Sequence, residues 1–402
     1  MYLTSFFWLC FFFGVQIFFF KDQYNSFFDK GGDDSYFFFD WILPSFYDFE
    51  HALQEHNPYK SFVIPTSLYL KFINYIGINS ISFFHVNLVN IFFASFIPVF
   101  VYKIAAKIFH ERIAGASSFF VLMYPFLNYQ STKILRDVHV YLYFTIVVFV
   151  VVSNFSVFRK FFLLLILAFL LFNVRKESVL YMMIFAGLYN YLNTKDYRIR
   201  IGIIVVVLIT LVVGYSYVSF KYGLTIESIS RFSQLYDELR VETDTGGSLA
   251  TRLKNSGVVG KIVSVIYIWI SPFPPPAIYS FNLMNFIISV GVLLWYFLFP
   301  RAVLKVAEEC RTNRSTNSLN KKNFSISIFI VIILGTFLIS YTSGDPRHSM
   351  VFFPVLSIFA VAYFWSRSSK FDSIFNYILI TISFLAIFIY VILKFSVVNK
   401  FS

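Results

Sequence analysis

Residues 138–158 read VHVYLYFTIVVFVVVSNFSVF and contain no Asp, Glu, Lys or Arg. A helix of this length can cross about 30 Å of hydrocarbon. Similar apolar runs occupy residues 2–20, 80–102, 113–129, 161–173, 178–193, 201–220, 281–299, 324–341, 350–365 and 373–394. The sequence therefore predicts an all-α fold, a polytopic transmembrane helix bundle of about 11 spans in which residues 1–402 form a single transmembrane domain.

The composition supports a membrane protein. Hydrophobic residues make up 58% of the chain and charged residues 13%, with a mean hydropathy of +0.71; a soluble domain carries roughly 25% charged residues. The first apolar run lacks a basic leading region and a small-residue cleavage site, so we predict a retained helix. Cys10 and Cys310 lie too far apart to indicate a disulfide framework.

The distribution of charge predicts the orientation, because cytoplasmic loops retain Lys and Arg. With the N-terminus inside, the cytoplasmic loops hold many basic residues but few acids, namely Glu111, Asp196, Glu308, Glu309 and Asp372. Residues 300–323 are then a flexible cytoplasmic basic linker, while 21–79, which includes a juxtamembrane segment, and 221–280 are outer loops. The formal charge of +12 is a topology signal, and it gives no reason to expect a nucleic-acid partner.

An acidic turn in the first outer loop is the first candidate site. Asp33 and Asp34 follow a glycine pair, which permits a tight turn and a close approach of the backbone. Adjacent carboxylates can supply a general base or bind a divalent cation such as Mg²⁺ or Mn²⁺. A solvated turn explains the same residues equally well.

Three short outer loops carry the remaining candidates. They hold basic residues next to an acid or a histidine: Lys133, Arg136 and Asp137; Arg175, Lys176 and Glu177; Asp345, Arg347 and His348. For any one of these loops, an interfacial anchor whose charge reaches water is the commoner explanation. Three such loops on one side instead indicate an anionic, lipid-linked substrate, because guanidinium groups suit phosphate.

The order of short motifs resembles the GT-C superfamily of membrane glycosyltransferases over most of the chain. The motifs are Gly32-Asp33-Asp34-Ser35-Tyr36, Asn57-Pro58-Tyr59, Ile64-Pro65-Thr66-Ser67-Leu68-Tyr69, Ile76-Gly77, Asn87 with Asn90, Met123-Tyr124-Pro125, Ile134-Leu135-Arg136-Asp137, Val174-Arg175-Lys176-Glu177, Asp345-Pro346-Arg347-His348 and Val351-Phe352-Phe353-Pro354-Val355-Leu356. Within the large outer loop, residues 221–261 have no counterpart in this pattern.

The resemblance implies an inverting transferase in a bacterial cytoplasmic membrane, with its active site facing the periplasm. A polyprenyl-phosphate-linked sugar is the implied donor, and a cell-surface glycan or lipid-linked molecule is the implied acceptor. Asp33 or Asp34 is the expected base, and Arg136, Arg175, Lys176 and Arg347 are expected to bind the donor phosphate. Asp137, Glu177, His348 and Tyr36 are secondary candidates. If a metal is used, Asp33 and Asp34 are its expected ligands.

Two other functions remain open from the sequence. An O-antigen or capsule repeat-unit polymerase would use a polyprenyl-diphosphate-linked oligosaccharide, and Arg231, Arg240 and Arg252 lie in the large outer loop. A lipid-linked glycan flippase or transporter would favour ionisable residues near the midplane and an internal repeat. Neither feature is visible in the sequence, which makes transport the weaker alternative.

Overall fold

A computed structural model describes residues 1–29, 60–78, 83–205, 283–311, 316–342 and 346–366, together with the single residues 208, 212, 216, 260 and 265. Within these ranges every regular element is a helix. The helices are α1 Tyr2–Asp29, α2 Lys60–Tyr75, α3 Phe83–Ala94, α4 Ile97–Ile108, α5 Glu111–Met123, α6 Pro125–Ser131, α7 Asp137–Val152, α8 Val157–Phe172, α9 Glu177–Asn193, α10 Leu283–Arg311, α11 Thr316–Thr342 and α12 Phe353–Ser366. A 3-10 helix, Pro346–Phe352, leads into α12, and residues 197–205 are also helical.

Four helical segments of the described chain are long and apolar enough to cross a membrane: His85–Ile108, Ser289–Arg311, Asn320–Ile339 and His348–Trp365. Shorter apolar helices cover Tyr2–Phe18 and Asp137–Val152. The all-helical, membrane-type fold therefore agrees with the sequence, whereas the figure of about 11 spans stays a prediction. The run at 373–394 and most of the run at 201–220 lie outside the described residues.

Proline divides one of the predicted spans and follows a turn within a second. The run at 113–129 is interrupted at Tyr124, whose backbone is extended with φ −69° and ψ 113°, between α5 and α6. Pro125 explains the break, because proline disfavours a helical conformation in the residue before it. Pro98 lies in the first turn of α4, directly after the turn that separates α4 from α3.

Helix α7 lies at the centre of the bundle. All of its 16 residues are buried except Ile146 and Phe149, because it packs against α3, α4, α8, α9, α12 and the 3-10 helix. Helix α8, by contrast, is largely exposed, and only Leu167 and Leu171 of its residues are buried. Its outward face presents large apolar side chains, as expected of a surface in contact with lipid.

Contacts between the turns define two ends of the bundle. Arg136 Nη1 donates a hydrogen bond to the Val174 carbonyl at 3.1 Å, which joins the turns at 132–136 and 173–176; we call this the polar end. At the other end, Asn323 Nδ2 donates to the Leu192 carbonyl at 3.2 Å and the Lys321 ammonium lies 5.2 Å from the Phe109 ring. This basic end holds the turns at 109–110, 153–156 and 194–196.

The two ends agree with the predicted alternation of loops. The turns that carry Arg136 and Arg175 share the polar end, and Lys321 and the turn before α5 share the basic end. Which end faces the cytoplasm stays a prediction from the distribution of Lys and Arg.

Most of the segment predicted to be a flexible linker, 300–323, is helical, while its place on the cytoplasmic side stays a prediction. Helix α10 continues to Arg311 and α11 begins at Thr316. The Arg301 guanidinium lies 4.2 Å from the Phe297 ring and 5.1 Å from the Phe364 ring, and its side chain is buried. Aromatic packing and cation–π contacts thus order a segment whose polar composition indicated a loop.

Candidate functional site

A buried ion pair joins the two turns of the polar end. Asp137 begins α7, and Arg175 lies in the turn between α8 and α9. Arg175 Nη2 donates to Asp137 Oδ1 at 2.6 Å, and each side chain is only 3% exposed. The two charges are therefore shielded from water and depend on each other for compensation.

Glu177 provides a second carboxylate for Arg175. Its Oε1 lies 3.5 Å from Arg175 Nε, and its side chain is 37% exposed. At this distance the contact is an electrostatic one, and Nε makes no hydrogen bond with any of the described residues. Arg175 therefore keeps one donor that is buried but not hydrogen-bonded.

The pKa of Arg175 reflects both its burial and the carboxylates beside it. Burial alone would lower the pKa, but the nearby carboxylates of Asp137 and Glu177, with smaller contributions from Tyr141 and Tyr181, raise it above its ordinary value. Because the folded-state pKa is raised, the stabilisation is fully present below the unfolded pKa and is lost only as pH rises above it. Arg175 therefore remains charged throughout the physiological range.

Arg136 and Lys176 are more accessible than Arg175. Both side chains are half-buried; Arg136 is tied to the Val174 carbonyl, and the Lys176 ammonium lies 5.8 Å from the Phe172 ring. Among the predicted phosphate-binding residues whose side chains are described, these two are thus the partly accessible cations of the polar end. Arg175 is already engaged by carboxylates.

A buried hydrogen-bond network lies behind the turn that carries Arg136. Asn90 Nδ2 donates to the carbonyls of Lys133 and Leu135 at 2.5 and 3.1 Å. Asn90 Oδ1 lies 3.2 Å from His139 Nε2, and His139 Nδ1 lies 3.4 Å from the Tyr143 hydroxyl. Asn90 and His139 are at most 1% exposed, and Tyr143 is 5% exposed.

The direction of the hydrogen bonds follows from the Asn90 amide. Because its nitrogen donates to two carbonyls, its oxygen accepts, and His139 Nε2 carries the proton. His139 Nδ1 then accepts from the Tyr143 hydroxyl. The network therefore positions residues 133–135, which lead into Arg136 and Asp137, from the side of α3.

His139 was not among the residues expected from the sequence, and Asn90 entered only through the family resemblance. The signal that could have identified them is the presence of two polar side chains inside apolar runs, since a buried polar group needs a partner. The rings of Phe62 and Phe93 cover His139, at 5.1 and 4.4 Å between centroids. This apolar cover explains why the surrounding sequence resembles an ordinary membrane helix.

The loop before α12, which is predicted to face outside, is described only in part. His348 lies in the 3-10 helix and is buried. Phe352, at the end of the same helix, lies 5.7 Å from the Phe144 ring and 5.4 Å from the Tyr181 ring. The 3-10 helix therefore packs beside α7 and α9, the two helices that begin at Asp137 and Glu177.

The acidic turn lies outside the described residues. It contains the predicted site residues Asp33, Asp34 and Tyr36. Asp345 and the side chain of Arg347 also lie outside the described part of the chain, although the Arg347 backbone belongs to the 3-10 helix. Among the described residues, no group of three or more His, Cys, Asp or Glu side chains could hold a metal ion. A cation at Asp33 and Asp34 therefore stays a prediction.

No protein-family model, curated protein or solved structure matches this chain. The GT-C resemblance consequently rests on the motifs in the sequence alone. Two of those motifs contact each other in the described part of the chain: the Ile134–Asp137 motif and the Val174–Glu177 motif meet at the polar end.

Proposed function

We propose that this chain is a membrane glycosyltransferase that transfers a sugar from a polyprenyl-phosphate donor to a cell-surface glycan or a lipid-linked acceptor. The observation that supports the proposal most directly is the meeting of two charged turns at one end of an apolar helix bundle. Arg136 and Lys176 are partly accessible there, and the Arg175–Asp137 pair ties the turns together. Charged groups gathered at a membrane boundary suit a substrate that is anionic and lipid-linked.

In the proposed reaction these residues have different roles. Arg136 and Lys176 would stabilise the phosphate that leaves, and Arg347 is proposed as a third cation. Asp33 or Asp34 would accept the proton of the acceptor hydroxyl. The acceptor oxygen then forms a bond to the anomeric carbon as the bond from that carbon to the phosphate oxygen breaks, which inverts the configuration.

The Arg175–Asp137 pair has a supporting role in this proposal. Its two charges compensate each other, so it fixes the position of the neighbouring Arg136 and Lys176 without binding substrate itself. Small displacements of catalytic groups lower rates strongly, which is why a rigid ion pair next to the accessible cations is useful.

Transfer from defined donors tests the proposal. The full-length protein in nanodiscs would be supplied with polyprenyl-monophosphate monosaccharides, and Asp33→Asn, Asp34→Asn and the double variant would be compared with Asp196→Asn at the basic end. Loss of a general base lowers the rate by about 10²–10⁴-fold. A drop of only a few-fold in the double variant would remove the assignment of the base.

The same assay separates the alternatives. Elongation of a polyprenyl-diphosphate-linked oligosaccharide, without use of the monophosphate donor, would identify a polymerase. In proteoliposomes, movement of a labelled lipid-linked glycan across the membrane without formation of a glycosidic bond would identify a flippase.

A further inference from the structure

Two lysines from different helices meet at the carboxyl end of α7. Lys103 belongs to α4, and its ammonium lies 5.6 Å from the rings of both Phe100 and Phe149. Lys160 belongs to α8, and its Nζ donates to the Val151 carbonyl at 2.9 Å. Since Phe149 and Val151 are in the last turn of α7, both positive charges lie at the same corner of the basic end.

Two more cations join this corner. Lys107 follows Lys103 by four residues and therefore lies on the same face of α4, one turn further on. The Arg159 guanidinium lies 5.5 Å from the Phe155 ring, and that ring lies 6.0 Å from the ring of Phe149. We call the group of Lys103, Lys107, Arg159 and Lys160 the basic patch.

The basic patch has no carboxylate among the described residues: none of its four cations forms an ion pair with one. Lys103, Lys107 and Arg159 are exposed. A single cation at the end of α7 is explained by the unpaired carbonyls of a helix C-terminus. Four cations are more than that end requires, and together they can attract a negative charge from outside the chain.

The surroundings of the basic patch indicate a lipid. Helix α8 begins beside it with large exposed apolar side chains, among them Phe158, which is 80% exposed, and Phe161. A soluble anion would gain nothing from these side chains. An amphiphile with an anionic headgroup can contact the cations and the apolar face together.

We propose that the basic patch binds the phosphate of an anionic phospholipid, whose acyl chains lie along the exposed face of α8. The site is at the opposite end of α7 from Asp137 and Arg175. It is therefore distinct from the candidate functional site and does not depend on the proposed transferase activity.

The test compares lipids of different charge with one preparation of protein. The full-length chain would be purified in neutral detergent, and the binding of phosphatidylglycerol and of phosphatidylcholine would be measured by native mass spectrometry and by the shift in the thermal unfolding midpoint. Phosphatidylglycerol should bind more tightly and raise the midpoint. Lys103→Gln/Lys107→Gln/Arg159→Gln retains the Lys160 cap of α7, and its affinity should fall about fivefold for each charge removed.

Two controls decide between a local site and general attraction. Lys195→Gln/Arg198→Gln/Arg311→Gln removes three exposed cations from elsewhere at the same end and should bind phosphatidylglycerol nearly as tightly as the unmodified chain. Equal losses in the two triple variants would overturn the proposal. So would an equal midpoint shift from inorganic phosphate alone, which would identify a site for a soluble anion.

The single variant Lys107→Gln keeps the test decisive if the triple variant does not fold. Its side chain is exposed, so substitution should leave the fold intact. Binding of phosphatidylglycerol should weaken about fivefold, and unchanged binding would contradict the proposal.

Discussion

Arg175 and Asp137 form an ion pair at 2.6 Å although 38 residues separate them in the chain. Both side chains are almost fully buried, so neither charge has water as an alternative partner. The pair joins the first turn of α7 to the turn before α9, and together with the bond from Arg136 to Val174 it makes the polar end one unit. This arrangement leads to a clear expectation for stability.

We expect Asp137→Asn to destabilise the fold by about 3–5 kcal/mol, because it leaves the buried Arg175 charge without its closest counter-charge. Replacing both residues, as in Asp137→Leu/Arg175→Met, should recover most of this loss, since no buried charge remains. Denaturant unfolding in micelles measures both values. Glu177→Gln is the control: its carboxylate is 37% exposed, and its removal should change the stability by less than about 1 kcal/mol. A loss below about 1 kcal/mol for Asp137→Asn would contradict the burial of the pair.

The sequence could predict the ends of this arrangement but not the pairing within it. Charged residues that bound apolar runs locate Arg136, Asp137, Arg175 and Glu177 at helix termini. The sequence could not show the contact from Arg175 back to Asp137, because that contact depends on how α7 and α9 pack. Hydrophobicity alone also cannot show that the run at 113–129 forms two helices, which the extended backbone at Tyr124 before Pro125 makes clear.

Asn90 and Asn87 provide a matched pair within α3. Both are fully buried, but Asn90 bonds two carbonyls and His139, whereas the Asn87 amide makes no hydrogen bond with any described residue. We expect Asn90→Leu to cost about 1–3 kcal/mol, because it strands buried polar groups, and Asn87→Leu to be neutral or stabilising. Thermal unfolding of the two variants, measured side by side, tests the difference. Equal effects would show that the network does not hold residues 133–135 in place.

Gly335 is required where α11 passes the 3-10 helix. A β-carbon at this position would collide with the ring of Phe352, which is itself held between Phe144 and Tyr181. Gly335→Ala should therefore destabilise by about 1–3 kcal/mol through overpacking. Gly115→Ala is the matched helical control, since no atom lies within 4 Å of its added β-carbon, and it should be neutral or stabilise by about 1 kcal/mol. Unfolding midpoints in the same micelle give the comparison, and a neutral Gly335→Ala would show that Phe352 can move aside.

Activity and stability should separate among Arg136, Arg175 and Lys176 at the polar end. Arg136 and Lys176 are half-buried, so Arg136→Gln and Lys176→Gln should fold while sugar transfer falls about tenfold or more, as expected when one charge-assisted contact to a phosphate is lost. Arg175→Gln should lose activity and stability together, because it leaves Asp137 as an uncompensated buried charge. Lys195→Gln, an exposed cation at the basic end, should retain both. Transfer rates and unfolding midpoints measured on the same preparations distinguish these cases. If Arg136→Gln and Lys176→Gln transfer sugar at the normal rate, these cations anchor the polar end at the membrane boundary, and the donor phosphate must be bound by other residues.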